Sequence, residues 1–233
     1  MKTSDKIKQR IAEYNITSTY TKRWHSNDNI SDFMEEGDID GLQAEVEIAM
    51  QRVLEALVID TENDHNTHET AKRVAKMFIK EIFNGRYQPA PLITVFPNTG
   101  YDQVYLAGPI TIRSTCAHHF AAITGQCWVG IFPGKDVIGL SKFNRIIDWI
   151  ASRPQIQEEM TSEIADAIQK AAKADGVAIV IKAHHHCLTH RGVREHNSDM
   201  TTSIMRGKFR TDPNLKSEFL NLLAGMKGFN SNG

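Results

Sequence analysis

Cysteine is scarce in this chain, with three residues among 233. So low and odd a count argues against a disulfide framework and points to a reducing compartment. Long apolar runs are missing as well. No stretch reaches the roughly 18 apolar residues of a membrane span. The opening Met1-Lys2-Thr3-Ser4-Asp5-Lys6 lacks the apolar core of a secretory signal. Neither sign of charge is in excess: 27 Lys and Arg face 28 Asp and Glu, a formal net charge of −1. That balance gives no general affinity for nucleic acid or for a membrane surface. An anionic ligand would have to be held by locally placed Arg and Lys. No internal repeat recurs at a solenoid period. These absences lead us to expect a cytoplasmic protein with neither a nucleic-acid nor a membrane partner.

What is there is ordinary globular composition, 41% apolar and 24% charged. The length suits one good-sized domain with an extra element, or two small ones. Residues 1–40 stand apart. Residues 6–14 read as a short helix, and 15–40 are polar and aperiodic, which fits an extended arm or disorder equally. Over 41–57, Leu42, Val46, Ala49, Val53 and Leu57 recur at spacings of three and four, one face of a helix. A second helix is expected after Thr67 as N-cap, with Ala71, Val74, Phe78 and Ile82 on one face, ending at Asn84-Gly85.

From Pro91 the pattern changes to short β-favouring runs at 92–96, 104–106, 110–113, 120–123, 127–132 and 137–140. Thr124-Gly125 reads as a hairpin turn between two of them. Ser141 is expected to cap a helix through Ile150. Pro154 is expected to begin another, with Met160, Ile164, Ile168 and Ala171 as its apolar stripe and Gly176 as its stop. Strands over 177–183 and 201–205 and a helix from Asp212-Pro213 to Leu223 complete the chain, before a loose tail from Gly225. The order predicts an α+β domain with a helix pair on one face of a mostly antiparallel sheet.

The chemistry is concentrated in three places. Cys116-x-x-His119 lets a tight turn present a thiolate and an imidazole to one ion, although a buried free Cys beside an unrelated His explains the same spacing. Cys187 closes the run Ala183-His184-His185-His186-Cys187. If a strand continues to Cys187, alternation puts His185 and Cys187 on one face, and His184 and His186 on the other as surface residues. Two thiolates and an imidazole are zinc-type ligands, and three of them leave a fourth position open, as catalytic zinc sites do. Cys127 sits in an apolar run and reads as a small buried hydrophobe. In Ser141-Lys142-Phe143-Asn144-Arg145, two cations occupy a helix start, where the dipole favours an anion. That is either a phosphate site or a solvated face. Arg191 and Arg194 add donors of the type suited to phosphate. Glu158, in a helix's first turn, reads as a surface carboxylate.

Cys116-Ala117-His118-His119-Phe120, Gly139 to Arg145, Arg153-Pro154-Gln155-Ile156-Gln157-Glu158 and His185-His186-Cys187 through Arg191-Gly192 resemble GTP cyclohydrolase I, in that order and at matching separations. The resemblance covers about residues 42–224. It implies Zn2+ on Cys116, His119 and Cys187, and an acid–base pair in His118 and His185. It implies triphosphate and ribose contacts from Ser141, Lys142, Arg145 and Arg191, a guanine contact from Glu158, and Arg73 reaching a neighbouring subunit's triphosphate. It also implies the tunnelling fold, closed into an oligomeric barrel, and a decamer of two pentamers with sites between subunits. The implied domains are a helix and polar arm at 1–40, a catalytic domain at 41–224 and a flexible tail at 225–233. The implied reaction is hydrolysis of GTP at C8 with formate release, giving 7,8-dihydroneopterin triphosphate. Two positions depart from the family pattern: Ala117 where Glu is usual, and Ala71 where Pro is common. Ala117 keeps two other readings open, an enzyme of this fold acting on another purine or pterin nucleotide, and a zinc oligomer that binds nucleotide without turnover.

Overall fold

The computed structural model describes residues 1–21, 23–226 and 228–229, in two compact units, Met1–Pro89 and Ala90–Gly233. Positions 227 and 230–233 of the expected loose tail lie outside the described residues.

The first unit is helical. It comprises α1 (Thr3–Thr17), a single 3-10 turn at Ser31–Phe33, α2 (Asp38–Ala56), α3 (Thr70–Lys76), a wide helical turn at Met77–Ile82, and α4 (Asn84–Tyr87). Ile7 and Ile11 of α1 are buried against Ile30 and Phe33, so part of the polar 15–40 stretch is held by apolar contact. Arg86 fastens the same stretch, donating from its guanidinium to the carbonyls of Ser26 and Asp28 at 3.1 and 2.8 Å.

Two helix readings need correction here. Thr67 caps nothing: α3 begins at Thr70 with Glu69 in the cap position. The buried row is Ala71, Ala75, Ile79 and Phe83 rather than Ala71, Val74, Phe78 and Ile82. The reason is the wide turn, closed by Phe83 N–H donating five residues back to the Phe78 carbonyl at 3.1 Å. A wider turn keeps residues four apart in line, where an α-helix would drift to the next row. On α2, the apolar row was legible but not its covering: Val53 and Leu57 are 48% and 65% exposed.

The second unit contains β1 (Val95–Pro97), β2 (Tyr105–Cys116), β3 (Ala122–Phe132), β4 (Asp136–Ile138), α5 (Leu140–Ala151), β5 (Pro154–Gln155), α6 (Gln157–Ala172), β6 (Gly176–His185), the single turn α7 (His186–Thr189), β7 (Met200–Gly207), the single turn α8 (Lys208–Thr211), and α9 (Pro213–Ala224). A five-stranded sheet runs in the order β5-β2-β3-β6-β7, and β1 pairs with β4 apart from it. Every pair in the large sheet is antiparallel except β5 with β2. This is the expected α+β architecture.

The two faces of the sheet are packed differently. Odd-numbered residues of β3 and β6, among them Ile123, Cys127, Val129, Ile131, Val177, Ile179, Ile181 and Ala183, meet α5 and α6 in the main core. Alternation sends Trp128, Ala178 and Val180 to the opposite face, where Phe209, Phe219 and Leu223 cover them. α9 starts where the sequence places it, because the Asp212 carboxylate accepts from the backbone N–H groups of Asn214 and Leu215 and Pro213 fills the first turn.

The expected hairpin at Thr124-Gly125 is wrong, since both residues lie inside β3 and the reversal is at 117–121. Glycine is needed there for a different reason. A Cβ on Gly125 would lie 2.2 Å from the Lys182 carbonyl oxygen and 2.6 Å from the Ala183 Cα, so β3 and β6 approach too closely for any side chain. Gly125→Ala is therefore expected to force these strands apart and cost about 1–3 kcal/mol. Denaturant midpoints of the two proteins measure this, and equal midpoints would refute the close approach.

Candidate metal centre and surrounding site

The site is built where two strands end side by side. β2 ends at Cys116, which is buried at 4% exposure. The chain then reverses tightly: Phe120 N–H donates to the Cys116 carbonyl at 2.9 Å, and Cys116 N–H to the Ala121 carbonyl at 2.8 Å. Phe120 adopts φ 52°, the left-handed conformation such a reversal demands. His118 and His119 therefore protrude from the turn with ring centres 6.4 Å apart. The other side is supplied by β6, whose last residue His185 pairs with Ile123. Past His185 the strand does not continue. Cys187 lies in α7, so the alternation argument that put it on the face of His185 stops two residues short. The helical turn nonetheless brings Cys187 to the same place by another route.

One ligand atom from each of Cys116, His119 and Cys187 lies within 4.8 Å of the other two. The donor set fits a zinc-type ion in two ways. Its chemistry is two sulfurs and an imidazole nitrogen. Burial, together with the neighbouring Cys116 sulfur, pushes the Cys187 thiol up from its ordinary value. Two adjacent thiols resist ionising together unless a cation supplies the opposing charge. Cys127 takes no part: it is fully buried in the main core, and burial pushes its thiol up strongly.

A guanidinium stands at the edge of this trio. Arg191 Nη1 lies 2.8 Å from His119 Nε2. His185, half-buried, sits 2.8 Å through its Nε2 from Gln157 Oε1. Burial pushes its imidazole below the ordinary value, and the Glu158 charge pulls the other way. Gln157 and Glu158 open α6, whereas Pro154 and Gln155 form β5 and not the expected helix start. β5 is pinned beside β2, with Cys116 opposite Gln155 and the Ala117 N–H donating to the Gln155 carbonyl at 3.1 Å. The joint between α5 and α6 is held by Arg153, 1% exposed, which pairs with Glu163 and stacks 4.1 Å over the Trp149 ring.

The other nominated residues fall as follows. Ser141 is the second residue of α5 and not its cap; Gly139 takes the cap position without a side-chain bond. Ser141 and Arg145 are exposed and Lys142 half-buried, while Phe143, Ile146 and Ile147 turn into the core. Arg73 belongs to the other unit, on α3, and pairs with Glu69 at 3.2 Å. His184 and His186 turn to other partners, Asp199 at 2.7 Å and Thr124 at 3.2 Å. Sequence reasoning missed Gln157. It lay inside a quoted motif, but nothing in the local pattern says that its amide is fully buried.

The fold and site thus define a class: an α+β protein with a three-donor metal-type cluster at the strand ends of an antiparallel sheet. Comparison with known proteins makes this specific. A sequence model of the family GTP cyclohydrolase I matches residues 46–224. GTP cyclohydrolase 1 of Haemophilus ducreyi is 42% identical over 188 residues, covering 80% of this chain and 86% of that protein. The proteins of that name from Edwardsiella ictaluri and Vibrio vulnificus are 41% and 40% identical, covering 78% and 75% of this chain and 83% and 81% of their own length. The chain belongs to the GTP cyclohydrolase I family. Among solved structures, an archaeosine synthase QueF-Like in the apo form aligns over 52% of this chain and 96% of its own, at 12% identity and a TM-score of 0.34, too weak to define a shared fold.

If the trio is the metal centre, Cys116→Ser and Cys187→Ser should each abolish stoichiometric metal retention after dialysis, while Cys127→Ala keeps it. Metal analysis by atomic emission reads the outcome, and full retention in both serine variants would rule the trio out.

Proposed function

We propose that this chain hydrolyses GTP at C8 of guanine, with net consumption of one water, releasing formate and yielding 7,8-dihydroneopterin triphosphate. The observation that carries the proposal is the convergence of Cys116, His119 and Cys187 in a member of this family. Zn2+ is the ion assigned to these three residues. When bound, it supplies Lewis acidity that brings the pKa of a water toward neutrality.

The chain's own residues take the remaining roles. Lys142, half-buried, and Arg145, exposed, with Ser141 beside them near the α5 start, are assigned to hold the triphosphate and ribose by charge and hydrogen bonding at a helix N-terminus. Arg191 adds a planar donor from the metal side. Glu158, exposed at the start of α6, accepts from the N–H edge of guanine. His118 protonates N7, which makes C8 electrophilic toward water. His185 serves as its partner in the acid–base steps of ring opening and reclosure. Imidazoles suit this work because they titrate near neutral pH. Arg73 is assigned to the triphosphate held by a neighbouring subunit.

Several coarser features belong to the same proposal. The catalytic domain runs over 41–224, between a helix and arm at 1–40 and a tail at 225–233. The sheet with its helix pair is read as one unit of a tunnelling-fold barrel, assembled as a decamer of two pentamers. No described helix is long and apolar enough to cross a membrane.

Incubating zinc-loaded protein with GTP should release formate and 7,8-dihydroneopterin triphosphate in equal amounts, read by formate assay and by pterin fluorescence after oxidation of the product with iodine. No formate at full zinc occupancy would overturn the reading. His118→Ala should keep its zinc and lose about 10²- to 10⁴-fold in turnover, the usual worth of a positioned acid or base.

A further inference from the structure

The hydrogen bonds around Gln157 form a closed ring whose direction can be worked out donor by donor. Thr161 has one hydroxyl proton, and its Oγ1 lies 2.6 Å from the Gln157 backbone carbonyl oxygen, which only accepts. Thr161 therefore cannot also donate to Thr202, 2.7 Å away, so the Thr202 hydroxyl donates to Thr161. With its proton committed, Thr202 Oγ1 accepts from Gln157 Nε2 at 3.0 Å. The second amide proton faces two backbone carbonyls, Ile181 at 3.2 Å and Met200 at 3.1 Å.

This ring fixes which way the amide points. Rotating it by half a turn would press Oε1 against two carbonyl oxygens and leave the Thr202 hydroxyl without its donor. Gln157 is 0% exposed and Thr161 2%, so water is not at hand to relieve the clash at Oε1, although Thr202 is only half-buried. Oε1 therefore faces His185 Nε2 at 2.8 Å. A carbonyl oxygen only accepts, so that ring nitrogen must carry the hydrogen.

We propose that Gln157 is a positioning residue that, with Thr161 and Thr202, holds the hydrogen of His185 on Nε2 and fixes the ring's orientation. The bond commits Nε2 alone of the two ring nitrogens. The arrangement parallels the buried acceptors that select a catalytic imidazole's tautomer in other enzymes, with a neutral amide in place of a carboxylate. The same first turn of α6 that fixes His185 also carries Glu158. A shift of this turn would therefore move both groups together. The catalytic part of the inference rests on the proposed hydrolysis; the hydrogen placement does not.

Neutron diffraction from deuterium-exchanged crystals of the full chain tests the placement directly. Deuterium on His185 Nε2 is the expected result, and deuterium on Nδ1 alone would overturn the proposal whatever the enzyme does. For catalysis, Gln157→Leu should lower kcat about 10- to 100-fold, the usual effect of losing the partner that orients an imidazole. KM for GTP and bound metal should stay within about threefold. Thr202→Val keeps the side-chain volume, removes one member of the ring, and should lower kcat in the same direction with KM and metal unchanged. It decides the matter if the leucine variant does not fold. Unchanged kcat in the folded variants, or a rise in KM alone, would leave Gln157 a structural residue. A wild type without formate release would sink the activity and leave the neutron result standing.

Discussion

The register of β3 is the constraint on which the rest of the site depends. One edge of this strand pairs Ala122 with Thr115, next to Cys116 at the end of β2. The other edge pairs Ile123 with His185 at the end of β6. Two adjacent residues of one strand thereby fix where both neighbouring strands stop. The turn carrying His118 and His119 and the turn carrying Cys187 open at the same level of the sheet. A slip of β2 or β6 by one residue against β3 would turn that strand's core residues to the opposite face. Gly125, two residues further on, lets the β3 and β6 backbones approach as closely as this register requires.

Around that frame the polar groups divide by burial. The metal-type cluster is partly open, with Cys116 buried, Cys187 half-buried and His119 exposed. Burial and the neighbouring Cys116 sulfur disfavour the Cys187 thiolate, and a cation bound there would favour it. The Gln157 ring behind His185 is the opposite case. It is neutral, buried at Gln157 and Thr161, half-buried at Thr202, and satisfied bond for bond. Such a network resists rearrangement because each broken bond would leave a buried group unpaired. An adaptable, charged front stands against a rigid, neutral back, which suits a site that must bind an anion and still hold an imidazole still.

Much of this was legible in the residues. The apolar stripe of Met160, Ile164 and Ile168 gave α6, Asp212-Pro213 gave α9, and the spacing Cys116-x-x-His119 gave half of the metal cluster. Glycine misled at Gly125, because a residue chosen for backbone proximity looks locally like one chosen for a turn. Ser141 and Thr67 misled as caps, because a hydroxyl near a helix start is common and only geometry says which residue is the cap. The buried row of α3 was misplaced because a helical turn of unusual width leaves no mark in a pattern read at the standard period.

By itself the sequence determined the kinds of chemistry available and the elements that carry them: soft ligands for a metal, cations at a helix start, alternating strands and striped helices. These follow from side-chain type and from short-range periodicity, which a single chain displays in order. Only the tertiary structure decided that Cys187 joins Cys116 and His119 from a helical turn rather than a strand. It alone showed that the Gln157 amide faces His185. Both depend on pairing between segments far apart in the chain, where the direction of a hydrogen bond is set by what lies across the sheet and not by what lies next in sequence.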